Sequence, residues 1–220
     1  EMAFGGKAVH PQFDYIFELF TLLIGLAVAE MLLGFSRILK LRARRRAGVD
    51  PAAMRVKVGW LVPILGLLVL VDLATFWSII WTMRGVLDMR MATIFGVLVL
   101  IGAYYLVATL VFPDEPEVWP VFDAYFWEQK RWVFGGMLAI NVAITLAGMT
   151  LGAGGEDAPQ ISPATHPVFV TSVLMVYLNF PAFAWLIFTR SARVSLALML
   201  FIIATQILYA LSSWTITGLV

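Results

Sequence analysis

Val58-Gly-Trp-Leu-Val-Pro-Ile-Leu-Gly-Leu-Leu-Val-Leu-Val-Asp-Leu-Ala-Thr-Phe-Trp-Ser-Ile-Ile-Trp-Thr-Met83 is the stretch that decides the fold class. About 20 apolar residues suffice for a helix to cross a bilayer, and this run is longer. Its single charged residue, Asp72, falls next to its midpoint. A carboxylate at that depth costs at least about 2.5 kcal/mol unless it is protonated, paired or hydrated. The rest of the chain is therefore read for how it accommodates Asp72.

Composition agrees with a membrane protein. Of the 220 residues, 61% are hydrophobic and 13% charged, against about 25% charged in a soluble domain. Apolar runs of membrane length recur along the chain, which argues against a soluble single-core fold. The net charge of +1 carries no message about partners, and nucleic acid is not an expected one. Cysteine is absent, which excludes disulfides, thiolate metal sites and cysteine nucleophiles. Residues 1 to 12 lack a basic n-region, so the first apolar run is expected to be a retained helix rather than a signal peptide.

The expected fold is all-α, a single transmembrane domain over residues 1–220 with six membrane-spanning helices. They cover about 13–38, 58–83, 91–112, 132–151, 168–189 and 194–219. The segment from Arg37 to Lys57 carries eight basic residues and is expected as a loop broken at Gly48 and Pro51. Residues 118–131 place Phe122, Tyr125 and Phe126 on one helical face, with Asp123 and Lys130 on another. This predicts an interfacial segment ahead of helix 4.

Basic residues orient the bundle. With the Arg37–Lys57 segment in the cytoplasm, Lys130, Arg131, Arg190 and Arg193 also face inward. Of 15 basic residues only Lys7, Arg84 and Arg90 then remain outside. This positive-inside bias predicts that both termini lie outside. The Arg37–Lys57 cluster is primarily a topology signal, with anionic lipid as its candidate partner. Trp60, Trp81, Trp119, Trp127, Trp132 and Trp214 sit near expected helix ends, where indole rings favour the interface. Trp77, Trp81 and Arg84 share one helical face, so a guanidinium–indole stack is open to them.

Other polar residues fall at the depth of Asp72. Asn141, Asn179 and Gln206 lie near the centres of helices 4, 5 and 6, and Tyr104 and Tyr105 lie within about two turns of that plane. Polar side chains in hydrocarbon seek one another, so convergence is expected. Two readings remain open. Either the carboxamides are interhelical glue around a neutral buried acid, or they line a hydrated site for an ion, a proton or a small polar solute. Pro181 deprives the Tyr177 carbonyl of its helical partner, so a kink is expected beside Asn179.

Glu30 is a second acid inside a span, a further candidate for the site, although Arg37 lies two turns on along the same face and could pair with it. Asp14 and Glu18 form an i, i+4 acidic pair near the outer surface, a solvated helix start or an outer vestibule. Gly25, Ala29, Gly135 and Gly136 permit close helix packing. His10 and His166 come from separate outer segments without ligand spacing, so no metal site is expected. No Ser-His-Asp set sits at one depth, and Gly152–Gly155 lacks the Lys-Ser/Thr of a phosphate loop. No catalytic residues and no cofactor are assigned, and an enzyme is the least supported class.

The segments Leu23-Ile-Gly-Leu-Ala-Val-Ala-Glu-Met-Leu-Leu-Gly34, Leu110-Val-Phe-Pro-Asp114 and Asp123-Ala-Tyr-Phe-Trp-Glu-Gln-Lys-Arg131 resemble uncharacterised multi-spanning integral membrane proteins of bacteria. The resemblance covers helices 1 to 4 and implies a bacterial inner membrane. It carries no activity. Two function classes are therefore expected: a channel or transporter built round Asp72, or a non-catalytic subunit, sensor or scaffold of a larger membrane complex. A self-contained homo-oligomer with a wet cavity favours the first class, a stoichiometric unrelated membrane-protein partner the second.

Overall fold

A computed structural model describes residues 11–48, 56–82, 91–115, 118–150 and 167–217. Its helices are α1 (Pro11–Ala47), α2 (Leu61–Thr82), α3 (Met91–Thr109), α4 (Phe122–Thr150), α5 (Pro167–Tyr177), α6 (Asn179–Phe188) and α7 (Ala192–Thr217). The described residues form no strand; one isolated parallel bridge joins Lys57 to Val121. Six spans, with α5 and α6 together forming the fifth, are long and apolar enough to cross a membrane. Their outer faces are apolar too: Leu22, Leu33, Phe95, Leu106, Leu174 and Phe188 are exposed, as side chains facing lipid are.

The helices close into a ring. α1 packs on α2 and α3, α3 on α4, α4 on α6, α6 on α7, and α7 on α2, while α5 packs on α7. A contact between α2 and α4 crosses the ring, so α2 touches three other spans. Its inner stripe is Leu65, Leu68, Val69, Asp72, Leu73, Phe76 and Ile80, all buried at helical spacing. Asp72 thus occupies a core position of the most buried span.

Two boundaries differ from expectation for identifiable reasons. The basic stretch after Arg37 is helical to Ala47 rather than looped. Leu, Ala, Lys and Arg are strong helix formers, and nothing breaks the run until Gly48, whose φ of +66° provides the left-handed stop. Arg44, Arg45 and Arg46 fill the last turn, where cations meet the negative end of the helix dipole. At 1.5 Å per residue α1 is about 55 Å long, well beyond the hydrocarbon thickness. Next, the aromatic stretch from Phe122 to Arg131 is not a separate interfacial piece. It forms the first turns of one continuous α4.

The fifth span breaks beside Asn179, where a kink is expected from Pro181. Leu178 separates α5 from α6, and its N–H reaches back to the Met175 carbonyl at 3.0 Å. Pro181 falls in the first turn of α6, where the missing N–H has no intrahelical role. This places Asn179 at a helix start, facing the interior.

Glycine matters where α1, α2 and the end of α3 meet. The Phe112 ring occupies the space that a Cβ would need at both Gly34 and Gly66. Gly136 similarly admits a Val107 methyl. Gly25 and Gly135 have no neighbour at their Cβ direction, so neither mediates close packing within the described residues. Trp77 and Trp81 stack on each other and meet Phe17 of α1 at a tilt; Arg84 lies outside the described residues. At the opposite end, Arg42 sits over the Trp60 ring. Lys57 exchanges backbone hydrogen bonds with Pro120 and Phe122, and the Asp123 carboxylate accepts from the first N–H of α2, at Leu61. The start of α2 is thereby tied to the start of α4.

Candidate functional site

Asp72 is 2% exposed, and three other spans supply its hydrogen bonds. Gln206 Nε2 of α7 donates to Oδ1 at 2.6 Å. Asn141 Nδ2 of α4 donates to Oδ2 at 3.3 Å and, with its second hydrogen, to the Met137 carbonyl at 2.9 Å. The Tyr104 hydroxyl of α3 donates to Oδ2 as well. The structure therefore brings together Asp72, Tyr104, Asn141 and Gln206. An ionised carboxylate offers about four acceptor positions, and three are used. None of the three donors carries a positive charge, so the carboxyl is solvated by dipoles rather than neutralised by a cation.

Asn179 lies one step away. The Thr205 hydroxyl is 2.9 Å from Asn179 Oδ1 and 2.8 Å from the Ile202 carbonyl, so its one hydrogen is shared between them. Asn179 joins Asn141 and Gln206 in the wall of a cavity of about 190 Å³ between α2, α4, α5, α6 and α7. Asp72 itself stands behind that wall, reached through Gln206 and Asn141. Tyr105 points outward and is 38% exposed, so only one of the adjacent tyrosines enters the site.

The other sequence candidates lie elsewhere. Glu30 is within 3.9 Å of Arg37, which makes its closer contact, 3.1 Å, with Asp114 beyond α3. The pairing with Arg37 thus exists and keeps Glu30 out of the Asp72 cluster. Glu18 is exposed in a shallow recess lined by α1 residues alone, which encloses no vestibule; the Asp14 side chain, His10 and His166 lie outside the described residues. No group of three or more His, Asp or Glu side chains is placed to hold a metal ion among the described residues.

Several polar contacts were not anticipated. Ser172 of α5 and Ser212 of α7 are buried with hydroxyls 2.8 Å apart. Thr205 bridges to Asn179. Lys130, read from sequence as an inward-facing charge on the polar face of the interfacial segment, is 4% exposed. Its ammonium donates to the Leu186 carbonyl at 3.1 Å and to the Thr189 carbonyl at the end of α6, and lies 4.8 Å from the centre of the Trp127 ring. Thr205 and Ser212 lie seven residues apart on one face of α7, which could have drawn attention to them, but serine and threonine are common in spans, and Lys130 left no such trace.

The arrangement can do three things chemically. It can hold a proton on a carboxyl whose neighbours tolerate either protonation state, because hydroxyl and carboxamide groups both donate and accept. It can pass that proton only to a group in contact with Asp72. It can present amide and hydroxyl groups to a solute in the adjoining cavity. No protein-family model, curated protein or solved structure matches this chain.

Proposed function

We propose that this protein is an integral membrane channel or transporter for a proton, an ion or a small polar solute, with Asp72 as its protonatable centre. One observation carries the reading: Asp72 is enclosed at the middle of the bundle, and the amides that hold it also form the wall of a cavity. A purely structural carboxyl needs donors but no adjoining space. Intramembrane acids that face a bundle interior are the usual carriers of proton and ion coupling.

The same proposal puts the chain in a bacterial inner membrane with both termini outside. The basic residues at the α1 end, with Lys130, Arg131, Arg190 and Arg193, support that orientation, and Arg42, Arg44, Arg45 and Arg46 would then meet anionic headgroups. In this cysteine-free chain a cysteine introduced at Ala52 should resist impermeant labelling from outside intact cells. Labelling there reverses the orientation.

The transport reading is tested in proteoliposomes carrying an internal pH reporter, under imposed proton and small-cation gradients. Wild-type protein should dissipate a pH gradient faster than protein-free vesicles. Asp72→Asn should abolish this while keeping its thermal stability. Equal rates for wild type and Asp72→Asn overturn the reading.

A further inference from the structure

A second cavity, of about 870 Å³, lies between the start of α4 and the end of α6. Its charged lining is Lys130, Arg131, Arg190 and Glu128; its apolar lining is Trp127, Trp132 and Phe188. Three cations against one carboxylate give the lining a net positive charge. Arg131 and Arg190 are exposed, and neither forms an ion pair among the described residues. The Lys130 ammonium is committed to the Leu186 and Thr189 carbonyls. It thereby covers the negative end of α6, which would otherwise repel an anion in the same place. The two guanidiniums are the cations available to a ligand.

Depth decides what kind of anion reaches them. From Arg131 to the last residue of α4, Thr150, is about 28 Å at 1.5 Å per residue. That is close to the hydrocarbon thickness of about 30 Å, so Arg131 stands at headgroup level when Thr150 reaches the opposite surface. Arg190 follows the end of α6 at Phe188 and lines the same cavity. Trp132 and Phe188 are each a residue or two deeper in their spans than these arginines, and are 72% and 75% exposed. The cavity is therefore cationic toward the headgroups and aromatic toward the acyl chains.

We propose that this cavity binds an anionic phospholipid, with its phosphodiester at Arg131 and Arg190 and the top of an acyl chain against Trp132 and Phe188. Guanidinium groups hold phosphate oxygens through paired N–H donors. A free phosphate would use the cations and leave the rings bare; a phospholipid uses both. A segment of a partner protein would have to carry its backbone polar groups into hydrocarbon to meet the same rings. Basic pockets between transmembrane helices on the cytoplasmic side commonly hold anionic headgroups, and the orientation proposed above puts this cavity in that leaflet. The site shares no residue with the cavity beside Asp72, so it stands independently of the transport reading.

Arg44, Arg45 and Arg46 at the end of α1 provide the comparison. They are exposed in one helical turn and supply more charge than Arg131 and Arg190, without this cavity. General attraction of anionic lipid follows the charge removed; a built site follows Arg131 and Arg190.

The test is native mass spectrometry of the full chain, purified in detergent, stripped of lipid and titrated with dioleoylphosphatidylglycerol or dioleoylphosphatidylcholine. Wild type should bind one phosphatidylglycerol about thirtyfold more tightly than phosphatidylcholine, as two cations acting on one headgroup imply. Arg131→Gln with Arg190→Gln should remove that preference while the lipid-free protein unfolds at the wild-type temperature, since both side chains are exposed. Arg44→Gln, Arg45→Gln and Arg46→Gln together should keep it. Inorganic phosphate in large excess should not displace the lipid. The proposal falls if wild type shows no preference, if the preference survives loss of Arg131 and Arg190, or if it disappears with the α1 arginines. Displacement by inorganic phosphate also overturns it, in favour of a free-anion site.

Discussion

Asp72 and Lys130 pose the same physical problem and receive different solutions. Both are ionisable and almost fully buried, and neither forms an ion pair among the described residues. Asp72 is satisfied by side chains drawn from α3, α4 and α7. Lys130 is satisfied by backbone carbonyls at the end of α6 and by one indole ring. The difference lies in which partners have an alternative. Of the donors around Asp72, Tyr104 and Gln206 are buried and have no other acceptor among the described residues, while Asn141 has only the carbonyl of Met137 besides. The carbonyls around Lys130 belong to a helix terminus, where unpaired C=O groups normally find water or another cap, and where a cation is favoured by the dipole. One site depends on four residues together; the other is an anchor of α4 onto α6.

This comparison predicts its own largest effect. Asp72→Leu should strand the Tyr104 hydroxyl and two amide hydrogens in the interior, at about 1–3 kcal/mol for each donor left unpaired. With partial relaxation the loss should be about 3–5 kcal/mol, measured by thermal or denaturant unfolding in detergent. Asp72→Asn should cost under about 1 kcal/mol, since its carbonyl oxygen keeps two donors and a turned Gln206 accepts from its NH2. Equal destabilisation by the two substitutions would show that the carboxyl's size, and not its hydrogen bonding, holds the centre.

A steric control comes next. Gly66→Ala places a methyl group where the Phe112 ring lies, and overpacking of this kind costs about 1–3 kcal/mol. Gly25→Ala, at an open position, should cost nothing measurable by the same unfolding assay. If the two behave alike, the close meeting of α1, α2 and Phe112 is not a packing constraint.

Lys130→Met should be milder than Asp72→Leu, at about 1–2 kcal/mol, because it strands only the buried Leu186 carbonyl, while the Thr189 carbonyl is part-buried at a helix end. Its effect should appear as faster hydrogen exchange confined to the end of α6 and the start of α4, with proton flux retained. Loss of flux together with exchange near Asp72 would join the two regions into one functional unit and break the comparison.

The two regions also differ in how far the sequence discloses them. A carboxylate or carboxamide inside an apolar run is conspicuous, and Asp72, Asn141, Asn179 and Gln206 all stand out in this way. Depth along each span then sufficed to bring three of the four into contact. Rotation about the helix axis is less visible, which is why Tyr104 and its neighbour Tyr105 could not be separated without packing. Glu30 was drawn in on depth alone, although its spacing to Arg37 was readable. Lys130 was misjudged because its partners are backbone carbonyls, which every residue carries and no residue type advertises. The spans themselves were legible from hydropathy. Their ends were not, since helix propensity carried α1 through its basic stretch and α4 back through its aromatic one.

The smallest expected effect comes from a contact that belongs to neither region. Ser172 and Ser212 pair their hydroxyls between α5 and α7, and each also has a carbonyl of its own helix within reach, at Phe169 and Tyr209. If one serine becomes alanine, the other still has that local acceptor, so no buried group is stranded. Hydrogen bonds between transmembrane helices average about 0.6 kcal/mol for this reason. Ser172→Ala and Ser212→Ala should therefore each cost about that much, and the coupling in a double-mutant cycle should be no larger. Flux should be unchanged, because neither serine lines the cavity. A coupling of several kcal/mol would place the serine pair with Asp72 as a group without alternatives. It would also show that local carbonyls do not substitute for an interhelical partner, and the mild loss expected at Lys130 would then need revising upward on the same argument.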